Sequence, residues 1–325
     1  MIGADGGRFK DPRGCRHGFD SEGWMVDWAG MYPAAMTMFD ERGRVDEDAT
    51  AAHAARLIED GVQGIVAAGT SGEFILLDTD ERMRVIRAAI AGAAGRVPVI
   101  AGTGTAATHE TIALTEQAAA AGAAGAIVIL PYYLKPTMAE VVGHFRAVGA
   151  ASPIPIMVYN NPANSAAPAI EPPALAGLYH EGAVASVKST FPTVHQVHEL
   201  RALTDEGFRV FYGSFMAPLE GLAGGAHGWI SGILNVAARD AVALYGAMEA
   251  GDLSAARAAW ARILPIKLLW TRSELGHVSD ISMYRAILRL RGQVAGHCRA
   301  PVQELTPDQV ARLRSMLQPL GLLEA

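Results

Sequence analysis

The sequence contains little cysteine and little lysine. Its 325 residues include two cysteines, Cys15 and Cys298, and only four lysines against twenty-three arginines. Two cysteines so far apart provide neither a disulfide framework nor a metal-ligand spacing, and they indicate free thiols in a reducing cytoplasm. No histidine or aspartate cluster recurs at the predicted strand ends, so we expect no catalytic metal and no other cofactor.

A surplus of positive charge and long apolar runs are also absent. The net charge of -6 leaves no excess of basic residues to neutralise phosphates, which argues against a nucleic-acid partner. No stretch reaches about 18 uninterrupted apolar residues, so we expect no membrane span. Residues 1–27 are rich in glycine and charge and lack the apolar segment of a signal peptide. We interpret them as a loosely ordered N-terminal extension, with a subunit-contact arm as the alternative.

Short apolar runs alternate with longer Ala-rich amphipathic runs in the rest of the chain. The predicted strands are 29–36, 64–68, 97–101, 126–130, 154–159, 183–187, 208–212 and 227–230. The predicted helices are 46–60, 79–93, 108–121, 138–150, 171–179, 194–204, 217–223, 236–250, 254–270, 280–290 and 307–317. Strands that are apolar on both faces are typical of a buried parallel sheet.

Eight strand-helix units predict the fold class. Such a number within about 220 residues favours an α/β fold of the (β/α)8 TIM-barrel type. A doubly wound sheet is the alternative, but it usually carries a glycine-rich dinucleotide turn, which is missing here. We therefore expect a barrel over residues 28–250 and a C-terminal helical region, 251–325, packed on it.

Polar residues follow six of the predicted strands, where a barrel of this type has its active site. These segments are 69–73, 102–105, 131–136, 159–162, 188–190 and 213–214. Other polar residues are less informative. The acids at 78–81 are expected to cap a helix, and the histidines at 53, 109, 144, 195 and 198 are expected to be solvated on helices.

Lys188 is the most informative residue. Where almost every other cationic position holds arginine, a lysine follows an apolar strand and is expected to point into the barrel mouth. A desolvated lysine can lose its proton and attack a carbonyl, whereas arginine keeps its proton. The alternative is a structural lysine that pairs with an acid or extends to the surface.

Tyr159 ends the preceding strand, so its phenol is expected near Lys188, where it can move protons. The alternative is a packing tyrosine with a satisfied hydroxyl. Thr70 and Ser71 lie in a glycine-flanked turn, and their hydroxyl and backbone N–H groups can relay protons or hold a carboxylate. The turn lacks the lysine of a phosphate-binding loop.

Six short segments follow one another in an order that identifies a family. They are Gly-Thr-Ser-Gly-Glu at 69–73, Ile-Ala-Gly-Thr-Gly at 100–104, Pro-Tyr-Tyr at 131–133, Tyr-Asn-Asn-Pro at 159–162, Ser-Val-Lys at 186–188 and Gly-Trp-Ile-Ser at 228–231. Over residues 28–323 the sequence resembles the dihydrodipicolinate synthase / N-acetylneuraminate lyase family of Schiff-base aldolases. The resemblance implies a TIM barrel, a small 2-oxo acid such as pyruvate as the bound partner, and a tetramer built as a dimer of dimers.

The resemblance also implies a role for each matching residue. Lys188 would form the imine with the 2-oxo acid, and Tyr159 would be the proton shuttle. Ser71 would join the relay of Tyr159, and Tyr133 would extend that relay across a subunit contact into the neighbouring active site.

Further residues are implied to bind substrate. Thr70 and Ser71 would hold its carboxylate, and Ile230 would line the imine pocket. Gly213, at the end of the seventh predicted strand, and Asn164, in the stretch 162–165, complete the predicted substrate-binding set.

One departure bears on the substrate. Dihydrodipicolinate synthases place an arginine two residues beyond the proline of the Tyr-Asn-x-Pro stretch, and this chain has Asn164 there. A neutral amide cannot provide the bidentate, charge-assisted grip of arginine on a carboxylate. The stretches 162–165 and 298–305 resemble 4-hydroxy-2-oxoglutarate aldolases more closely.

We therefore expect a lyase or aldolase of pyruvate-yielding 2-oxo acids, with sugar-acid aldolases and dehydratases as near relatives. A synthase that condenses pyruvate with aspartate semialdehyde is the alternative. An alternative of another class is a barrel that binds a 2-oxo acid without turning it over.

Overall fold

The computed structural model describes residues 18–20 and 23–323. Residues 1–17, which include Cys15, and residues 21–22 lie outside this part, so the interpretation of the N-terminal extension stays a prediction. The described residues of this region form an antiparallel pair of short strands, Gly18–Asp20 (β1) and Gly23–Met25 (β2).

Eight further strands form one sheet within the described residues. They are Gly30–Pro33 (β3), Ile65–Ala67 (β4), Val99–Gly102 (β5), Gly125–Ile129 (β6), Ile156–Asn160 (β7), Ser186–Ser189 (β8), Arg209–Tyr212 (β9) and Gly228–Ser231 (β10). Their order in the sheet is β3-β10-β9-β8-β7-β6-β5-β4. A parallel bridge between Ala34 and Val66 joins the two ends of that order. The fold is a (β/α)8 TIM barrel with additional C-terminal helices, as predicted.

The helices alternate with these strands and then continue beyond them. They are Glu47–Glu59 (α1), Thr79–Ala93 (α2), Thr108–Ala120 (α3), Met138–Ala151 (α4), Pro172–His180 (α5), His195–Leu203 (α6), Pro218–Ala223 (α7), Leu234–Glu249 (α8), Leu253–Thr271 (α9), Asp280–Leu290 (α10) and Pro307–Leu317 (α11). Among the described residues, no helix is both long enough and apolar enough to cross a membrane.

Local sequence explains where several helices begin. Asp78 and Glu81 form a reciprocal capping box at the start of α2, in which the Asp78 carboxylate accepts a 2.8 Å hydrogen bond from the Glu81 N–H. The prediction that these acids cap a helix is confirmed. Thr137 and Glu140 cap α4 in the same way.

The chain divides into two compact units. Unit 1 comprises the residues up to Ala29 together with Gly102–Gly228, and unit 2 comprises Gly30–Ala101 together with Trp229–Ala325. In unit 1 the strands β6 to β9 bury apolar side chains such as Val158 and Val210. In unit 2 the C-terminal helices α9 and α10 contact α8. The predicted boundary at residue 250 between a barrel and a C-terminal region stays a prediction.

Two of the histidines are not solvated, and that prediction is wrong. His53 on α1 is buried, and its Nε2 lies 2.7 Å from Oδ1 of Asn235. His144 on α4 is also buried, with Nδ1 3.0 Å from the Thr108 hydroxyl. Burial lowers the pKa of His53 to about 3, with repulsion from Arg56 acting in the same direction. Both side chains fill interior positions as neutral imidazoles.

His53 makes the stability of the fold depend on pH. Because its pKa falls from 6.5 to about 3 on folding, protons bind the unfolded chain first as the pH drops below 6.5. The contribution of the neutral ring to the free energy of unfolding is therefore complete above pH 6.5 and decreases below it. The decrease reaches about 2 kcal/mol at pH ~5. His53→Gln should remove this loss, as measured by urea unfolding at pH ~7.5 and pH ~5.

The matched control for that measurement is His109→Gln on α3, because His109 is exposed. That variant should keep the full pH dependence of the wild-type protein. Equal pH dependence in the wild type and in His53→Gln would contradict the assignment.

Candidate active site

Lys188 and Tyr159 lie side by side in unit 1. The parallel register of β7 and β8 pairs Tyr159 with Lys188, and the lysine Nζ lies 3.9 Å from the centroid of the tyrosine ring. Both side chains are buried, with exposures of 5% and 8%. The negative face of a phenol ring attracts the lysine side chain when it carries its proton. The structure thus brings together the two residues on which the predicted chemistry depends, although Lys188 lies within its strand and not after it.

The phenol oxygen of Tyr159 accepts a 2.9 Å hydrogen bond from the side-chain amide of Asn161. Asn161 is buried, and its backbone N–H also donates to the Tyr159 carbonyl at 3.1 Å. A phenol that accepts from an amide keeps its own proton for donation to another group. Asn161 therefore orients the acidic hydrogen of Tyr159. The sequence contained this residue in the Tyr-Asn-Asn-Pro segment but did not indicate that contact.

Buried amides brace the ends of β7 and β8. The Asn160 side chain donates to the Ile170 carbonyl at 2.8 Å and accepts from the Ile170 N–H at 3.1 Å. Gln196 on α6 accepts from the Ser189 hydroxyl at 2.7 Å and from the Asn160 amide at 3.2 Å. Residues 161–169 thus form a loop that is anchored at both ends. No local sequence signal pointed to Gln196.

Gly213 lies directly against Lys188. A Cβ atom at this position would come within 2.8 Å of Cγ and 3.0 Å of Cε of Lys188, and within 2.2 Å of the Thr190 hydroxyl. The Gly213 N–H donates to the Ser189 carbonyl at 2.7 Å, which fixes the glycine backbone close to β8. Any side chain at position 213 would force Lys188 out of its present conformation.

Tyr133 has an unusual placement. Its side chain is 92% exposed, and its φ of +73° lies in the left-handed region. A non-glycine residue in that region is strained by about 1–3 kcal/mol. The neighbouring Leu134 is also largely exposed. The side chain is thus left uncovered by the described residues of the chain.

Asn164 lies in a short 3-10 turn, Pro162–Asn164, and is exposed. Its backbone N–H donates to the Asn161 carbonyl at 3.3 Å. Asn164, at the position where dihydrodipicolinate synthases have an arginine, therefore lies in the same loop as Asn161, which orients Tyr159.

The turn after β4 lies in unit 2 and is held from behind. Ala68 and Glu73, which flank it, both have left-handed φ angles, of +52° and +56°. The Thr37 hydroxyl donates to the Gly72 carbonyl at 2.6 Å. Thr70 is exposed and Ser71 is buried. The two residues of the predicted carboxylate site thus stand on a backbone that is fixed in an uncommon conformation.

Glu73 ends this turn and pairs with a buried arginine. Arg285 on α10 donates to the Glu73 carboxylate at 2.5 Å and to the carbonyls of Thr37 and Ala295 at 2.8 and 2.6 Å. Its side chain is 0% exposed. Burial raises the pKa of Glu73, and the Arg285 guanidinium opposes that rise. Removing either partner would leave a buried charge unpaired, at a cost of about 3–5 kcal/mol.

Ser71 and Ile230 belong to the same unit. A Cβ at Gly232, two residues beyond Ile230, would come within 2.3 Å of the Ser71 hydroxyl oxygen. Ile230 itself is fully buried in β10. Within the described ranges 18–20 and 23–323, no group of three histidine, cysteine or acidic side chains is arranged to hold a metal ion.

Comparisons with known proteins agree with this geometry. A sequence model of the dihydrodipicolinate synthetase family matches residues 27–320. A 4-hydroxy-tetrahydrodipicolinate synthase of Syntrophus aciditrophicus is 34% identical over 294 residues, which cover 90% of this chain and 99% of that protein. An uncharacterized DapA-like lyase of Halobacterium salinarum is 36% identical over 295 residues, covering 90% and 94%.

Solved structures give the same result. The dihydrodipicolinate synthase from Aquifex aeolicus has a TM-score of 0.83 and 32% identity, with 91% of this chain and 99% of that chain covered. A prophage protein of E. coli K12 from the same family, solved in complex with pyruvate, has a TM-score of 0.84 and 29% identity, with 91% and 100% covered. The chain therefore belongs to the dihydrodipicolinate synthetase family, and it is an enzyme of the lyase and aldolase class that uses a lysine Schiff base.

Proposed function

We propose that this enzyme acts on pyruvate or on pyruvate-yielding 2-oxo acids, with Lys188 as the residue that forms the imine. The observation that supports it most strongly is the buried Lys188 amine, 3.9 Å from the ring centroid of Tyr159. Within the described part of the chain, no ion pair joins this amine to a carboxylate. A buried amine beside a proton donor is suited to attack on a carbonyl.

The reaction would begin when the Lys188 amine adds to the ketone carbon of the 2-oxo acid. Tyr159 would donate its proton to the departing oxygen, so that water leaves and an iminium ion remains. The iminium would accept the electron pair of a breaking C–C bond, or of a C–H bond at C3. The resulting enamine would take up a proton at C3 or expel a hydroxyl group from C4, which re-forms an iminium; water would then add to it, release the altered 2-oxo acid and restore the free amine. The hydrogen bond from Asn161 supports this role because it orients the phenol.

Residues of unit 2 would bind the substrate carboxylate. We assign this role to Thr70 and Ser71, and we assign to Ser71 a place in the proton relay, from the family resemblance. Ile230 would line the pocket of the imine. The buried pair of Glu73 and Arg285 would maintain the conformation of the turn during substrate binding and product release.

Tyr133 supports an oligomeric enzyme. Its exposed, strained conformation suits an arm that enters a neighbouring subunit and extends the relay there. We propose a homotetramer built from two tight dimers, located in the cytoplasm and requiring no added cofactor.

Two substrate classes compete. Asn164 in place of arginine favours a 4-hydroxy-2-oxoglutarate aldolase or a related sugar-acid aldolase or dehydratase, because the amide cannot neutralise a second carboxylate. The names of several relatives, 4-hydroxy-tetrahydrodipicolinate synthase, favour condensation of pyruvate with aspartate semialdehyde. Residues 161–165, which include Asn164, would determine which of the two substrate classes is bound.

Lys188 should be the position of a trapped adduct. Incubation with pyruvate and borohydride should add about 72 Da to one peptide, the one that contains Lys188. Lys188→Ala should lose both the adduct and turnover while keeping its thermal unfolding temperature, and Lys267→Arg should retain both. An adduct mapped to any other lysine, or none in the wild type at saturating pyruvate, would refute the assignment.

Gly213→Ala should slow imine formation at least about tenfold, because its methyl group would displace the Lys188 side chain. The measurement is the rate of borohydride-trapped adduct by intact mass. Gly177→Ala is the matched control, since a Cβ there meets nothing within 4 Å. Equal trapping rates for the two variants would show that the space at Gly213 is not needed.

A substrate panel should separate the aldolase from the synthase. We expect pyruvate release from 4-hydroxy-2-oxo acids, followed with lactate dehydrogenase, to exceed condensation with aspartate semialdehyde by at least about tenfold in kcat/KM. Asn164→Arg should shift the ratio toward condensation, because arginine can bind the second carboxylate. Faster condensation in the wild type would favour the synthase, and no turnover on any substrate would favour a binding protein.

A further inference from the structure

A cavity of about 270 Å³ lies in unit 2, where α1 ends and α8 begins. Residues from α9 and from the segments after α10 and α11 complete its walls. Its charged lining consists of Arg56, Asp60, Arg239, Asp240, Arg262 and Arg291. Four arginines against two aspartates leave a formal excess of two positive charges. A cavity of this size and charge suits a small anion and is small for a drug-sized molecule.

Both aspartates are already occupied by arginines. Asp60 accepts a 2.6 Å hydrogen bond from Nη1 of Arg56 and a 2.7 Å hydrogen bond from Nε of Arg239. Asp240 accepts one from Nε of Arg262 at 2.7 Å. The two carboxylates are therefore engaged with three guanidinium groups, and the fourth arginine is not paired with either.

That fourth arginine is Arg291, which is half-buried. Its Nε and Nη2 both donate to the Leu322 carbonyl, the former at 2.9 Å, and its Nη1 donates to the Val236 carbonyl at 2.6 Å. No carboxylate of residues 18–20 or 23–323 lies within 4.0 Å of it. Burial, together with repulsion from Arg56, lowers its pKa to about 10. Its direct partners are neutral carbonyls, so an anion close to the guanidinium would stabilise this partly desolvated charge further.

Donors for such an anion are present. Arg239 and Arg262 use Nε for their aspartates, which directs the terminal nitrogens of each guanidinium elsewhere. These two side chains are 70% and 54% exposed, so they can move toward a ligand. Guanidinium groups bind carboxylate and phosphate oxygens in pairs.

We propose that this cavity binds a small dianionic oxyanion, either phosphate or a short dicarboxylate. The anion would neutralise the excess charge of the four arginines. It would also connect the end of α1 and the start of α8 to residues 321–322, and so stabilise unit 2. The proposal concerns a site distinct from Lys188 and does not depend on the substrate of the enzyme.

Calorimetric titration of the full chain with inorganic phosphate, and separately with succinate, tests the proposal. Saturable binding with a dissociation constant of about 1 mM or tighter is expected for at least one of them. The double variant Arg239→Gln, Arg262→Gln should bind at least about tenfold more weakly. Whichever titrant binds identifies the anion class.

The matched control is Arg146→Gln in unit 1, which also removes a largely exposed arginine from an ion pair. It should bind as the wild type does, and thermal unfolding should show that every variant is folded. Glu324→Gln should also leave the affinity unchanged. Two results would overturn the proposal directly: no saturable binding of either anion, or equal binding by the wild type and the double variant. At least about tenfold tighter binding by Glu324→Gln would also overturn it, because it would mean that a carboxylate of the chain itself occupies the cavity.

Discussion

Parallel hydrogen bonding between β7 and β8 sets Tyr159 directly opposite Lys188, and the rest of the proposed chemistry depends on that register. Successive side chains of a strand alternate between its two faces, so a slip by one residue would turn the lysine away from the phenol. The buried amides of Asn160 and Gln196, at the ends of these strands, oppose such a slip. Each would lose its hydrogen bonds in the interior if the register changed.

Much of the fold was predictable because its signals are local. Buried parallel strands are apolar on both faces, and helices such as α2 begin at a capping residue that can be identified in the sequence. Lys188 was predictable for a different reason. In a chain that uses arginine almost everywhere else, the lysine at the end of an apolar strand is chemically exceptional.

The remaining features depend on contacts between distant parts of the chain. Glu73 and Arg285 are separated by 212 residues, and neither residue type indicates burial by itself. His53 was wrongly predicted to be solvated because its hydrogen-bond partner, Asn235, is contributed by a helix 182 residues away. The contact of Gly213 with Lys188 likewise follows from the packing of neighbouring strands. A glycine at a strand end gives no indication of what its missing side chain would touch.

Imines form wherever an uncharged amine meets a ketone or an aldehyde, so each accessible lysine of a Schiff-base enzyme is a position for unwanted adducts. Four lysines give this chain few such positions. Arginine supplies most of its positive charge and keeps its proton under the same conditions. The composition would therefore leave few positions at which simple ketones and aldehydes form imine adducts on the surface.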